Sequence, residues 1–585
     1  MKALQHLNKY FFKYRYRLVL GIFITIVSKI FALFTPRLIG ASINVVSDRL
    51  DGEISSEVFE NELMMNILFL LGAAIITGLF TFLMRQTIIN VSRYIEYDLK
   101  NEIYQHYQRL SLSFYKTNRT GDLMNRISED VSKVRMYVGP ALMYTINTIT
   151  LFVVALIYMI NTAPKLTLYT LLPLPVLSVI IYKLSKLINH RSNIVQQSLS
   201  TLSAFTQEKF SGITVIKSYN IESAVNIDFD DLSSQNREKQ INLTKVQALF
   251  FPMMILLIGV SNLLVVYIGG MQYISGEIEK IGTIAEFIIY VNMLTWPVAT
   301  VGWVTSLVQQ AEASQNRINE FLDTEPEVKN LNQETSEIKG DITFKNVKFT
   351  YPDTHITALK GISFSISAGQ TLAILGKTGA GKSTILDLIG RLYDIEEGEI
   401  LIDGKPITAL NLYSLRDHIG YVPQDAFLFS DTIKNNVKFG WNEASDEAVI
   451  NACKNAQVHD NIKDFNAGYE TVLGERGITL SGGQKQRISI ARAIIKQPKI
   501  LLFDDCLSAV DTETEEKILN NLTALTKHTT TVIVSHRISS VKHADHIIIL
   551  DNGHIIEAGN HETLVDKEGY YKELFDKQRS EKEIL

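Results

Sequence analysis

Six apolar stretches in the first 322 residues constrain this chain more than any other feature. They lie at about 18–42, 64–84, 138–160, 166–184, 249–273 and 284–308, each near the roughly 20 residues that a helix needs to cross the hydrocarbon of a bilayer. The mean hydropathy of the whole chain, +0.09, hides them, because an apolar part is averaged with a polar one. The first stretch holds Lys29 and the last Glu286. An ionisable group inside a span is costly and normally faces a cavity or a partner. The N-terminus carries Lys2, Lys9, Lys13, Arg15 and Arg17 ahead of the first run and loosely resembles a signal peptide. The run outlasts the usual signal length and lacks a small-residue cleavage site, so it reads as an uncleaved first span.

Loop charge orients the set. The N-terminus and the long segments 85–137 and 185–248 are rich in Lys and Arg, among them Arg93, Lys100, Arg109, Arg126, Lys186 and Arg191. The loop 43–63 instead carries Asp48, Asp51, Glu53, Glu57, Glu60 and Glu62. The positive-inside bias therefore places the N-terminus and both long segments in the cytoplasm, and an even number of spans returns the chain there after residue 308. The expected location is the cytoplasmic (inner) membrane, multi-pass. Two cysteines, Cys453 and Cys506, form no disulfide framework and suit a reducing compartment. A net charge of −5 offers no basic excess for phosphate neutralisation, so no nucleic-acid partner is expected.

Both long inner segments keep helical periodicity, which predicts helices that extend beyond the bilayer. Each has an interruption, at 111–122 and 210–220, where Asn118, Gly121 and Gly212 favour a reversal. Two short contact helices facing a cytoplasmic domain are expected there, against the plainer reading of solvated loops. A polar, acidic linker follows at 323–340. From 341 to 585, short β-rich runs alternate with amphipathic helices, the pattern of a doubly wound α/β domain. The expected organisation is thus a six-helix membrane domain over 1–322, the linker, and an α/β domain over 341–585.

The run Gly376, Lys377, Thr378, Gly379, Ala380, Gly381, Lys382, Ser383, Thr384 fits G-x-x-x-x-G-K-[ST] between a strand-like TLAIL and a helix-like STILDLIG. Glycines turn backbone N–H groups toward phosphates, and the helix N-terminus adds a field favourable to anions. Lys382 is expected at the β- and γ-phosphates of ATP, and Ser383 at Mg²⁺. Ile500–Asp505 reads as a buried strand that delivers two carboxylates to the ligand edge of a sheet. Asp504 is assigned to Mg²⁺ and Asp505 to polarising the attacking water. The plainer alternative is a solvated acidic strand end.

Leu480, Ser481, Gly482, Gly483 and Gln484 spell LSGGQ between the phosphate loop and the acidic strand. On these motifs the chain resembles the ATP-binding-cassette family. The resemblance implies further roles. Tyr351, in FTYPD, matches the aromatic that stacks on adenine, and Gln424, in YVPQD, the glutamine that contacts Mg²⁺ and senses the membrane domain. Ser508–Asp511 matches the loop that crosses between paired cassettes, His536 the switch histidine near the γ-phosphate, and 471–477 (TVLGERG) the exporter segment that touches the contact helices. Six spans ahead of one cassette resemble an exporter half-transporter of the multidrug and lipid-flippase type. The resemblance implies an ATPase driving amphipathic drugs or lipids across the membrane by alternating access, as a dimer in which each phosphate loop faces the LSGGQ of the other cassette.

Asp505 departs from the family pattern, where hydrolysing members mostly have Glu. One methylene fewer withdraws the carboxylate by about an ångström, enough to cost about a hundredfold in rate. An intact LSGGQ beside an Asp at this position resembles the MdlA-like subunits of heterodimeric exporters. This favours a heterodimer with a second, Glu-bearing half-transporter over a homodimer, although the intact His536 argues the other way. The competing reading is a nucleotide-gated or regulatory subunit with a slow ATP site. Asn262, Asn292, Trp296 and Trp303, with Pro252 and Pro297, are candidates for a substrate cavity or for helix packing.

Overall fold

The computed structural model describes residues 2–474, 477, 480–508, 510–525 and 529–584. It divides into two compact units, one made of Met1–His106 and Gly121–Thr324, the other of Tyr107–Thr120 and Glu325–Leu585.

The first unit is helical. Among the described residues, five helices are long and apolar enough to cross a membrane: Arg15–Leu50, Ser56–Arg109, Thr120–Thr162, Glu222–Ile274 and Gly282–Leu322. Ser56–Arg109 has 54 residues, about 80 Å at 1.5 Å per residue, far more than a hydrocarbon core of about 30 Å needs. The expected extension beyond the bilayer is therefore present. The predicted stretch 166–184 differs from the other five. It is divided between helices Pro164–Leu171 and Pro173–Ser211, because Pro173 and Pro175 supply no N–H to the preceding turn.

Apolar residues of the second helix, including Phe69, Ile75, Leu79 and Phe82, are more than half exposed, as a lipid-facing surface requires. Inward, Leu33, Leu151, Met159, Leu166, Val265 and Phe287 share one core. Small residues let the helices approach. A Cβ on Gly282 would stand 2.0 Å from the Gly40 carbonyl oxygen, and the Gly282 amide donates to Asn44 Oδ1 at 2.7 Å.

The second unit carries two sheets. Strands β1 (Ile342–Thr350), β2 (Thr357–Ile366), β3 (Thr371–Gly376), β4 (Glu397–Ile402), β5 (Lys405–Pro406), β6 (Ile419–Val422), β7 (Ile500–Asp504), β8 (Thr530–Val534), β9 (His546–Asp551) and β10 (His554–Gly559) follow in chain order. The smaller sheet runs β2-β1-β4-β5 and is antiparallel. The larger runs β10-β9-β3-β8-β7-β6, parallel except for the β9–β10 pair.

Every residue of β7 and β8 is buried. Successive β7 side chains point to opposite faces. Leu502 joins the core that includes Leu372, Ile374 and Ile385, whereas Leu501 and Phe503 join a second core with Leu428, Ile433 and Ile488. The uninterrupted apolar run in the sequence follows from this double burial.

Candidate functional site

Parallel register brings the chemistry to one edge. Ile374 of β3 and Asp504 of β7 both pair with Val534 of β8, so the phosphate loop, the two aspartates and His536 leave the sheet at the same ends of neighbouring strands. Val422 of β6 pairs with Phe503, which puts Gln424 at that edge too. Its exposed side chain is held through the backbone, where its carbonyl accepts from Gln486 Nε2 at 3.3 Å.

The loop's shape depends on glycine. Gly376 and Gly381 have φ of +146° and +98°. Added Cβ atoms there would stand 2.2 Å from the Leu550 carbonyl oxygen and 2.5 Å from that of Ala358. Gly379 is also left-handed, at +81°, but faces open space. Lys382, buried behind the loop, donates to the carbonyls of Gly376 and Lys377, both at 2.9 Å. Burial lowers its pKa. Ser383 Oγ donates to Asp504 Oδ1 at 2.8 Å, and the hydroxyls of Tyr351 and Thr384 meet at 2.9 Å.

Burial raises the pKa of both Asp504 and Asp505. The Ser383 hydroxyl opposes the rise at Asp504, and His536 and Lys382 oppose it at Asp505. Asp505 also takes a left-handed backbone, φ +42°, which Asp tolerates better than most side chains. Its amide donates to the Val534 carbonyl at 2.9 Å.

Ser481–Gln484 follows Leu480, a residue of the other core. Ser481 caps helix Gly482–Ile494 in a reciprocal box, its Oγ accepting from the Gln484 amide at 3.3 Å while Gln484 Oε1 accepts from the Ser481 amide at 3.0 Å. Ser481 and Gly482 are exposed. No hydrogen bond joins this motif to the phosphate loop among the described residues, and the two lie beside different cores. Part of 471–477 and Ala509 of the 508–511 loop lie outside the described residues.

Two family models match the chain, the ABC transporter transmembrane region over residues 18–298 and the ABC transporter model over 359–508. A relative from Escherichia coli strain K12, named multidrug resistance-like ATP-binding protein MdlA, is 32% identical over 98% of this chain and 96% of its own length. One from Bacillus subtilis strain 168, named probable multidrug resistance ABC transporter ATP-binding/permease protein YheI, is 34% identical over 99% and 98%. The chain belongs to the ABC transporter family. The solved structure of a bacterial Atm1-family ABC exporter with ATP bound matches it with a TM-score of 0.81 and 28% identity, covering 96% of this chain and 99% of that one. This ABC transporter is a multi-pass membrane protein and an exporter of the multidrug type, with an ATPase coupled to transport.

The ABC transporter's structure adds groups that sequence motifs missed. Asp387, one turn past the phosphate loop, is pushed up to about 6 by burial, with Lys116 opposing and Asp504 adding to the rise. Arg537 donates to the carbonyls of Val510 at 3.1 Å and Ser508 at 2.8 Å and pairs with buried Glu515 at 2.9 Å, so it holds the loop after β7. Both depend on partners distant in sequence.

In the membrane unit, Glu286 is buried and accepts from Tyr290 one turn on, at 3.0 Å. Asn262 donates to Asn292 at 3.5 Å, and Trp303 packs edge-on to Tyr144. A separate cavity of about 500 Å³ is lined by Phe152, Ile181, Tyr182, Lys186, Val301 and Gln309, among others.

Proposed function

We propose that this chain, as half of a dimer, binds Mg-ATP at its phosphate loop and drives amphipathic small molecules, drugs or lipids, across the cytoplasmic membrane by alternating access. The observation that carries the reading is the joint placement of Lys382, Ser383, Asp504 and Asp505 at one sheet edge, in a chain whose other part is membrane helices. The functional division is 1–322, a linker at 323–340, and 341–585, with the N-terminus and the cassette cytoplasmic.

In this reading the amides of Gly376–Thr384 cradle the triphosphate. Lys382 exchanges its two carbonyl partners for phosphate oxygens, and Tyr351 stacks on the adenine. The paired oxygens of Ser383 and Asp504 form a hard donor set that fits Mg²⁺, and Gln424 would complete it. Bound Mg²⁺ supplies charge neutralisation at the β- and γ-phosphates. Asp505 polarises the attacking water and His536 stabilises the γ-phosphate.

The Ser481–Gln484 motif begins with exposed Ser481 and Gly482, next to Leu480 of the separate core. It serves a second cassette, so the unit is a dimer, and a heterodimer is favoured because Asp505 replaces the longer Glu. The exposed apolar residues Phe210, Val215 and Tyr219 around the short helix Ile213–Tyr219 support the same conclusion, as a contact helix awaiting a partner cassette. The cavity near Lys186 offers an apolar body with one cationic edge to an amphipathic cargo.

The test uses the chain co-purified with a second half-transporter in lipid vesicles. ATP-driven accumulation of a fluorescent amphiphile against its gradient is expected, and leakage down the gradient on ATP addition would instead indicate a nucleotide-gated channel.

A further inference from the structure

The last helix of the chain, Tyr570–Ile584, reaches the turn that carries His536. Its start is fixed by Glu557 of β10, whose carboxylate accepts from the Tyr570 amide at 2.5 Å and from the Tyr571 amide at 3.2 Å. Tyr571 is fully buried in a core with Leu375 of β3 and Ile538, and Leu574 and Phe575 pack against that core. Positions 571, 574, 575 and 578 share one helical face. The next residue on this apolar stripe is polar, Gln578.

Gln578 uses both ends of its amide on the backbone around Arg537. Nε2 donates to the His536 carbonyl at 2.8 Å, and Oε1 accepts from the Ile538 amide at 2.8 Å. The Ile538 amide opens the short helix Ile538–Val541, whose N-cap residue, Arg537, makes no side-chain cap, since a guanidinium has no acceptor. Before the histidine, the Ser535 amide donates to the Ile374 carbonyl at 3.2 Å, and Ser535 Oγ accepts from the Arg537 amide at 3.0 Å. The His536 amide itself hydrogen-bonds the Asp505 carboxyl. His536 is therefore held on its N–H side by Asp505 and on its carbonyl side by the last helix.

We propose that Gln578 is a positioning residue for ATP hydrolysis, fixing the backbone of His536 so that the imidazole stays aimed at the γ-phosphate. The last helix then tunes hydrolysis without touching the nucleotide. The proposal rests on the reading of His536 as the group at the γ-phosphate.

The test measures single-turnover ATP hydrolysis, Mg-ATP affinity and the unfolding midpoint of the full-length chain in detergent. Gln578→Met keeps the length of the side chain and removes both bonds. Hydrolysis is expected to fall about three- to tenfold, the size of one net hydrogen bond, with ATP affinity unchanged because the phosphate loop and Tyr351 stay in place. Leu574→Ala loosens the same helix but keeps both bonds, so it is expected to lower the midpoint more and hydrolysis less. In a His536→Ala background, Gln578→Met is expected to add little, since coupled residues are not additive. Unchanged hydrolysis in Gln578→Met overturns the proposal. So does a fall matched by Leu574→Ala, by ATP affinity, or by the same factor in the His536→Ala background. The two levels fail differently. If His536→Ala slows hydrolysis and Gln578→Met does not, only the role of Gln578 is lost; if His536→Ala leaves hydrolysis intact, the reading of His536 falls and the proposal with it.

Discussion

Asp387 shows how burial at a single residue sets a pH dependence. Its carboxyl moves from an ordinary 3.8 to about 6, with burial the largest cause. The folded chain therefore holds this proton more tightly than the unfolded chain between about pH 4 and pH 6. Stability from this group is complete below the unfolded value and is lost as pH rises through 6. Above that, the ionised carboxylate carries a burden of up to about 3 kcal/mol. Asp387→Asn, a neutral isostere, is expected to raise the unfolding midpoint of the purified chain at pH 7.5, with the gain shrinking toward pH 4. A gain of equal size at both pH values would show that packing, not ionisation, is responsible. None of this was legible in the sequence. Gly376, Gly381 and Lys382 could be assigned from spacing, because the left-handed turns and the close backbone approach at Leu550 and Ala358 demand glycine. Asp387 looks like any polar residue on an amphipathic helix, and its environment comes from strands and a connector far away in the chain.

At the scale of elements, periodicity and punctuation foretold most of the architecture. Helices longer than a bilayer, the short helices at Leu112–Thr117 and Ile213–Tyr219, and a parallel sheet ending in carboxylates all followed from local pattern. The stretch 166–184 did not. Its hydropathy suggested an unbroken span, whereas Pro173 and Pro175 divide the helix at Leu172. The contact between Arg537 and the loop after β7 was equally hidden, since it joins side-chain nitrogens to carbonyls that no motif records. Removing Arg537 frees the carbonyls of Ser508 and Val510 and leaves Glu515, 1% exposed, without its cation. Arg537 is itself 38% exposed, so the loss lies below that of a fully buried pair, at about 2–3 kcal/mol. Arg537→Met is expected to lower the unfolding midpoint accordingly, and Arg537→Met with Glu515→Gln to recover part of it. An equal loss in single and double variants would place the effect in the loop carbonyls instead.

For the whole molecule, the decisive asymmetry is between Asp505 and Ser481. If Asp505 makes this chain's own ATP site slow while its LSGGQ completes the partner's faster one, the two motifs contribute unequally to turnover. Lys382→Ala removes only the slow site. Ser481→Arg fills the exposed N-terminus of helix Gly482–Ile494 and removes the fast one. In a heterodimer Ser481→Arg is expected to reduce Mg-ATPase at least about tenfold more than Lys382→Ala, since misplacing one reacting group by an ångström already costs about a hundredfold. In a homodimer every site contains both motifs, and the two variants fall equally. Asp505→Glu supplies the complementary measurement. It lengthens the carboxylate by one methylene, and the left-handed backbone at this position costs an ordinary side chain such as Glu no more than about 1–2 kcal/mol. Turnover by the chain purified alone should therefore rise. Brisk turnover by the unaltered chain, abolished by Asp505→Asn and not raised by Asp505→Glu, would mean that the shorter carboxylate is already well placed, and would return the balance to a homodimer.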